Sequence, residues 1–272
     1  MTAPTEPTRV VTSADGTPIA VYTSGHGPSL VLVHGATADH TTFRVAGPLL
    51  ERRYTLHAID RRGRGASGDR EPYAIEREFE DVAAVAEVIA AETGSPIGVV
   101  GHSYGGRCGL GAALRTDGIG WVVCYEGAPT PPDASYHPPG IEARLRVLLD
   151  SGNRAAALAT FMTEVVGMDT EALERFRADP VWPVRVAAAP TILRELEAET
   201  APAASLEALG PVRQPVLQLL GRDSLPAFHA ATRALDERLA NGRVIVIEGA
   251  RHAAHHTHPA EFAAAIEGFV TA

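Results

Sequence analysis

The chain holds only two cysteines in 272 residues, Cys108 and Cys124. Both fall in apolar stretches that read as a helix and a strand, where reduced thiols serve as small hydrophobes, and nothing requires a disulfide between them. Positive charge is also in short supply. The 24 Lys+Arg against 33 Asp+Glu leave a net charge of −9, and no short basic segment forms a patch, which argues against a nucleic-acid partner. No apolar run approaches the length needed to span a bilayer, and the Pro- and Thr-rich start has no basic residue followed by an apolar run. A protein without membrane association or secretory signal, hence cytoplasmic, is expected. Internal repeats are lacking too, and the only compositional bias is in Ala-rich helices.

What is present suits a single large α/β sheet carrying an insertion. Hydrophobic residues make up 45%, enough for a sizeable core. Short apolar runs at 8–11, 19–23, 30–33, 54–59, 97–100, 121–125, 216–220 and 243–247 alternate with helical patterns such as 76–92, 227–239 and 259–270. That alternation predicts a parallel sheet covered on both faces. Continuous runs such as 30–33 and 244–247 read as strands buried on both sides. Ala14-Asp15-Gly16 predicts a hairpin, so the sheet opens antiparallel. Residues 127–213 break the rhythm. They hold a Pro-rich entry and helical segments at 141–150, 155–166, 170–178 and 191–198, but no convincing strand. The expected organisation is a core of 1–126 and 214–272 with a helical cap of 127–213 over the sheet's carboxyl edge, where ligands bind in such folds.

The sharpest local signal is Gly101-His102-Ser103-Tyr104-Gly105-Gly106, between a strand and a helix. A chain that reverses so tightly strains its central residue, and a Cβ two positions to either side would collide with the turn. The bend lifts the Ser103 hydroxyl clear of the sheet at the positive end of a helix. A phosphate loop is excluded at this bend, because no Lys follows and the glycine spacing is wrong. Acyl transfer builds a negative oxygen that two backbone N–H groups hold. One is expected from Tyr104. The other comes from Ala36, after the His34-Gly35 turn that ends the third strand and borders the substrate. The loop Asp60-Arg61-Arg62-Gly63-Arg64-Gly65-Ala66-Ser67 reads as braced by an Asp–Arg pair rather than as a basic binding patch.

A serine hydroxyl needs a base to take its proton. Of 11 histidines, His252 is the candidate, because it follows the last strand in a loop that returns to the edge bearing Ser103. His255, His256 and His258 line the same loop and helix start without completing any metal-ligand motif, so no metal is expected. Two carboxylates are placed to orient His252: Glu126 after the sixth strand and Asp223 after the seventh. A carboxylate that ends an apolar strand is costly without a partner, and this favours Glu126.

Taken together, the His34-Gly35 turn, the Asp60…Gly65…Ser67 loop, the elbow at Ser103 and the Gly249…His252…Pro259 ending resemble the α/β-hydrolase superfamily over essentially the whole chain. The resemblance implies an α/β-hydrolase fold: an eight-stranded, mostly parallel sheet with a helical cap between strands six and seven. It also implies a cofactor-free serine hydrolase acting on a small-molecule carboxylic ester or lactone through an acyl-enzyme on Ser103. Perhydrolase or haloperoxidase-type chemistry, C–C bond hydrolysis and a small-molecule receptor are the alternatives. The superfamily pattern after strand seven is Gly-x-x-Asp, and Asp223 stands one residue short of it. Tyr125-Glu126-Gly127-Ala128-Pro129 resembles the strand-six acid of haloalkane dehalogenases and zearalenone lactone hydrolases. Asp179-Pro180-Val181-Trp182 is similar to a stretch of the latter, which would put Trp182 against the substrate.

Overall fold

The structure is a computed structural model and describes residues 6–271; residues 1–5 of the polar N-terminal stretch lie outside the described residues. Eight strands form one sheet: β1 (Arg9–Thr12), β2 (Pro18–Gly25), β3 (Ser29–Val33), β4 (Thr55–Ile59), β5 (Ile97–His102), β6 (Ile119–Tyr125), β7 (Val216–Gly221) and β8 (Gly242–Ile247). Their spatial order is β1-β2-β4-β3-β5-β6-β7-β8. β2 runs antiparallel to both of its neighbours, β1 and β4, and every pairing among β3 to β8 is parallel. The alternation of runs predicted the parallel part of this sheet, and the resemblance implied the α/β-hydrolase layout as a whole.

The period-two alternation of strand side chains sorts the core into two faces. Val31, Val33 and Val99 point to one apolar cluster, and there they meet α1 (Ile75–Thr93) and α2 (Tyr104–Ala113). Leu30, Leu32 and Val100 point to the other, closed by Phe262 and Ile266. Those two residues belong to the C-terminal helix Pro259–Val270. In α1, Ile75, Phe79, Val82, Ala86 and Ile89 recur at helical spacing and are all buried, so one stripe of the helix covers the sheet. The run 244–247 departs from expectation. β8 is the sheet's last strand, and Val244 is 36% exposed. An unbroken apolar run satisfies an edge strand as readily as a central one.

Between β6 and β7 stand α3 (Ile141–Asp150), α4 (Arg154–Glu164), α5 (Thr170–Ala178), α6 (Trp182–Ala188) and α7 (Ile192–Ala198). They enclose a third apolar cluster of their own, built on Leu145, Leu158, Phe161, Ile192 and Leu196, with Ala36 of the sheet's β3 loop packed against it. Among the described residues no helix is long and apolar enough to cross a membrane.

The loop after β4 corrects the expected Asp–Arg brace. Asp60 accepts from Tyr22 Oη, from both the backbone N–H and Nδ1 of His40, and from the Ala66 N–H, all at 2.8–2.9 Å. Burial alone would raise its carboxyl, yet these hydrogen bonds outweigh burial and hold it down at about 2. The arginines turn away from it. Arg61 grips Glu78 of α1 through two nitrogens, Arg62 grips Asp81 likewise, and Arg61 and Arg64 share Glu195 of α7. All three arginines are buried, so no basic surface exists here. Unpairing one such buried charge costs about 3–5 kcal/mol, so the network fixes α7 over the sheet.

Candidate active site

The bend at Ser103 takes the geometry that its glycines permit. Ser103 has φ 54° and ψ −125°, a conformation that side-chain-bearing residues rarely adopt and that costs about 1–3 kcal/mol. A Cβ on Gly101 would lie 2.2 Å from the Gly105 carbonyl oxygen, and one on Gly105 would lie 2.3 Å from that of Val33. Only glycine fits at either place. Among the described residues the non-glycine positive-φ positions are Thr37, Ser103 and Glu126. All three stand just beyond the carboxyl ends of β3, β5 and β6, so the backbone strain is gathered at one edge of the sheet.

Glu126 is 3% exposed and fully engaged. Its Oε1 accepts from the Gly221 N–H at 2.7 Å and from Ser224 Oγ at 2.6 Å, and its Oε2 meets His252 Nδ1 at 2.6 Å. A carboxylate can only accept, so Nδ1 carries the proton and the Nε2 lone pair is left for other work. Asp223, the other candidate acid, is exposed on the far side of the turn. Its neighbour Ser224 is the one that reaches inward, to Glu126.

The loop bearing His252 is pinned to the sheet from below. His102 Nε2 donates to the His252 carbonyl at 2.8 Å. Tyr125 Oη donates to the Arg251 carbonyl and accepts from the Ala254 N–H at 2.8 Å. Phe228 stacks on the His252 ring with centroids 4.5 Å apart. Sequence reasoning missed His102, Ser224 and Phe228. Two of them carried a signal: His102 is a polar side chain inside the elbow, and Ser224 stands where the pattern after strand seven would place its acid.

Ser103 and His252 face the same space. Both line a cavity of about 270 Å³ and a smaller one of about 40 Å³, and Ala36, Phe161 and Val166 border both. Ser103 Oγ has no hydrogen bond to any described residue. Open catalytic contacts of this kind are usual before substrate arrives. The N–H groups of Ala36 and Tyr104 also donate to no described residue; that of Tyr104 opens α2, where no intrahelical acceptor is available. Two donors are thus left free at the bend.

Three expected substrate contacts need correction. His34 is fully buried and lines neither cavity: its Nε2 accepts the Arg61 N–H at 3.0 Å and its Nδ1 donates to the Gly35 carbonyl at 2.8 Å. Burial, reinforced by the Arg61 charge, pushes this imidazole well below the ordinary histidine range. Gly35 is packed beneath Ser103, and a Cβ there would touch the Ser103 Cβ at 3.0 Å. Trp182 packs edge-on against Phe176, centroids 5.3 Å apart, and it is Phe176 that borders the larger cavity. In each case one residue braces another that touches the space. Of the later histidines, His255 is buried against His102 and Phe43, and the His256 ring lies tilted against it at 4.5 Å between centroids. No group of three or more His, Cys, Asp and Glu among the described residues is arranged to hold a metal ion. Cys108 and Cys124 are buried and unpaired, and burial pushes the Cys124 thiol up to about 12.

A mostly parallel sheet that raises a strained serine beside a carboxylate-held imidazole defines a class of protein. Residues 30–265 match the alpha/beta hydrolase family, and the chain belongs to it. It is similar to the pimeloyl-[acyl-carrier protein] methyl ester esterase of Aeromonas hydrophila subsp. hydrophila, with 30% identity over 93% of this chain and 99% of that protein. Among solved structures it is similar to an alpha/beta hydrolase from Sphaerobacter thermophilus, at 32% identity and TM-score 0.81, covering 96% of this chain and all of that one. The fold also matches the enol-lactonase from Burkholderia xenovorans LB400, at 20% identity and TM-score 0.75 over 97% of this chain and 100% of that one.

Proposed function

We propose that this protein is a serine hydrolase that cleaves a carboxylic ester or lactone through an acyl-enzyme on Ser103. The observation that carries the reading is the 2.6 Å contact between Glu126 Oε2 and His252 Nδ1, with the other edge of that imidazole on the cavity that Ser103 enters. His252 Nε2 takes the Ser103 proton as Oγ attacks the carbonyl carbon. The buried Glu126 carboxylate stabilises the imidazolium so formed. Negative charge gathers on the former carbonyl oxygen, where the Ala36 and Tyr104 N–H groups receive it. The tetrahedral species collapses, and the alkoxide leaves with the proton from His252. A water molecule, deprotonated by the same Nε2, then attacks the acyl carbon and frees Ser103.

Two cavities meeting at the serine suit the two halves of an ester, acyl and alcohol. Residues 127–213 act as the cap that closes over both, since Phe161, Val166 and Phe176 come from that segment. The esterase name of a relative 30% identical over nearly the full length supports ester chemistry, and the lactonase neighbour keeps cyclic esters within reach of this fold.

A panel of alkyl and aryl esters, small lactones and macrolactones tests this reading. Turnover of at least one class is expected, with kcat lower by about 10⁴-fold or more in Ser103→Ala. Equal rates in wild type and Ser103→Ala, or no turnover of any class, would reject it.

A further inference from the structure

Arg185 of α6 stands on the larger cavity, beside Ser103 and His252. Its guanidinium touches only neutral oxygens: the Ala36 carbonyl at 3.4 Å, Thr37 Oγ1 at 3.5 Å and Thr42 Oγ1 at 2.9 Å. No carboxylate of the described residues comes within 4.0 Å of it. The nearest acids are already engaged. Asp39 accepts from the Thr41 N–H and Oγ1, while Asp179 holds Arg44 at 2.6 Å and accepts from the Val181 N–H. The contrast with Arg61, Arg62 and Arg64, each paired with a buried acid, is sharp. Burial, which the more distant Asp39 and Asp179 offset only in part, brings the Arg185 guanidinium down to about 10, the mark of a cation held where it is costly. The remaining walls are largely apolar, with Phe161, Met162, Val166 and Phe176 prominent. Arg44, Arg175 and Asp179 also line the cavity, but Arg44 is paired with Asp179 and Arg175 with Glu171. Arg185 is thus the lining arginine without an acid partner among the described residues, and in a protein of net charge −9 it is stabilised when a ligand supplies the missing anion.

We propose that Arg185 is a specificity-determining residue that binds a carboxylate on the substrate, so that the preferred ester or lactone is an anion rather than a neutral molecule. This rests on the serine-hydrolase reading above for the reaction, though not for the binding itself. The planar guanidinium matches a carboxylate through two parallel N–H donors. One carboxylate neutralises one guanidinium, whereas a phosphate dianion would leave a net negative charge against apolar walls. Because Arg185 bonds the carbonyl of Ala36, whose N–H faces the reacting oxygen, the bound carboxylate lies close to the scissile group. Short spacers are therefore favoured over long acyl chains.

Two size-matched pairs of esters that differ in charge test the proposal: monoethyl glutarate against ethyl valerate for the acyl half, and 4-acetoxybenzoate against 4-tolyl acetate for the alcohol half. In one pair the anion is expected to have kcat/KM roughly 10- to 100-fold above its neutral partner. That ratio should fall to about one in Arg185→Gln and to an intermediate value in Arg185→Lys, which keeps charge without the fork. Arg185 also ties α6 to the loop after β3, so the ratio is the deciding readout, because a merely structural loss lowers both members alike. Calorimetry separates the two readings. At least one of the two anions, monoethyl glutarate or 4-acetoxybenzoate, should bind Ser103→Ala and lose affinity by a similar factor in Ser103→Ala/Arg185→Gln, even if no ester is turned over. Turnover with neither pair showing an anionic preference, or affinity of both anions indifferent to Arg185, overturns the proposal and leaves the serine chemistry standing. Binding without turnover overturns the chemistry alone.

Discussion

Glu126→Gln is expected to lower kcat by about 10³- to 10⁴-fold with little change in KM, while Asp223→Asn stays within about twofold of wild type. The asymmetry follows from the hydrogen bonds around the carboxylate. The Gly221 N–H and Ser224 Oγ both donate to the Oε1 position, so a glutamine must put its carbonyl oxygen there. Its amide NH₂ is then turned toward His252 Nδ1. Nδ1 must accept, the ring proton moves to Nε2, and the edge facing Ser103 can no longer take a proton. The substrate still meets the same walls, so binding is largely spared. Steady-state kinetics on the best ester of the panel decides between the acids. A large loss in Asp223→Asn with a nearly normal Glu126→Gln would show that the carboxylate contact seen here is not the one that matters.

Mild acid is expected to unfold the protein, with a midpoint near pH 5. Burial holds the imidazoles of His34, His102 and His255 well below the ordinary value of 6.5, and those of His57 and His256 at about 4. Each stays neutral in the folded state and charges freely in the unfolded one. Below pH 6.5 the unfolded chain therefore binds more protons, and stability that is complete above this pH is lost as the pH falls toward the folded-state values. Each such group contributes about 1.4 kcal/mol per pH unit once well below 6.5. Asp81, which burial pushes up to about 6, takes its proton first in the folded state and offsets one of the five, so the net is about 5 kcal/mol per unit. Set against a typical total of about 5–15 kcal/mol, that slope exhausts stability within one or two units. Asp60, held at about 2, adds its own loss only below the carboxylate range. Urea titrations at pH 7.5, 6.5, 5.5 and 5.0 measure the slope. Equal stability at all four would show that these histidines are solvated in solution.

The elements most legible in the sequence are those set by local periodicity. The eight strands fall within about two residues of the runs that announced them, because a buried parallel strand needs an unbroken apolar run and little else does. The sheet edge was not legible, since Val244 has the same side chain whether or not another strand lies beyond it. The elbow was legible because steric demands there are absolute: carbonyl oxygens of Gly105 and Val33 occupy the space a Cβ would need. The pairing of Arg61 and Arg64 was not, because their partner Glu195 is more than 130 positions away and only the packing of α7 brings it in. Ser224 and Asp223 make the same point at short range. Both are polar and adjacent, and only the direction of the turn decides which one reaches Glu126. His34 and Gly35 read as touching substrate because they precede Ala36 in the turn, and Trp182 because its stretch is similar to one of the zearalenone lactone hydrolases. Their side chains, or the lack of one, instead brace the residues that border the cavity.

The account turns on whether Ser103 is the group that becomes acylated, with its proton taken by His252. A fluorophosphonate probe followed by peptide mass analysis measures this directly. One equivalent of adduct is predicted on the peptide containing Ser103, formed at least about 10³-fold more slowly in His252→Ala and absent in Ser103→Ala. An adduct on another residue, or ester turnover in a protein that the probe leaves unmodified and uninhibited, would contradict it.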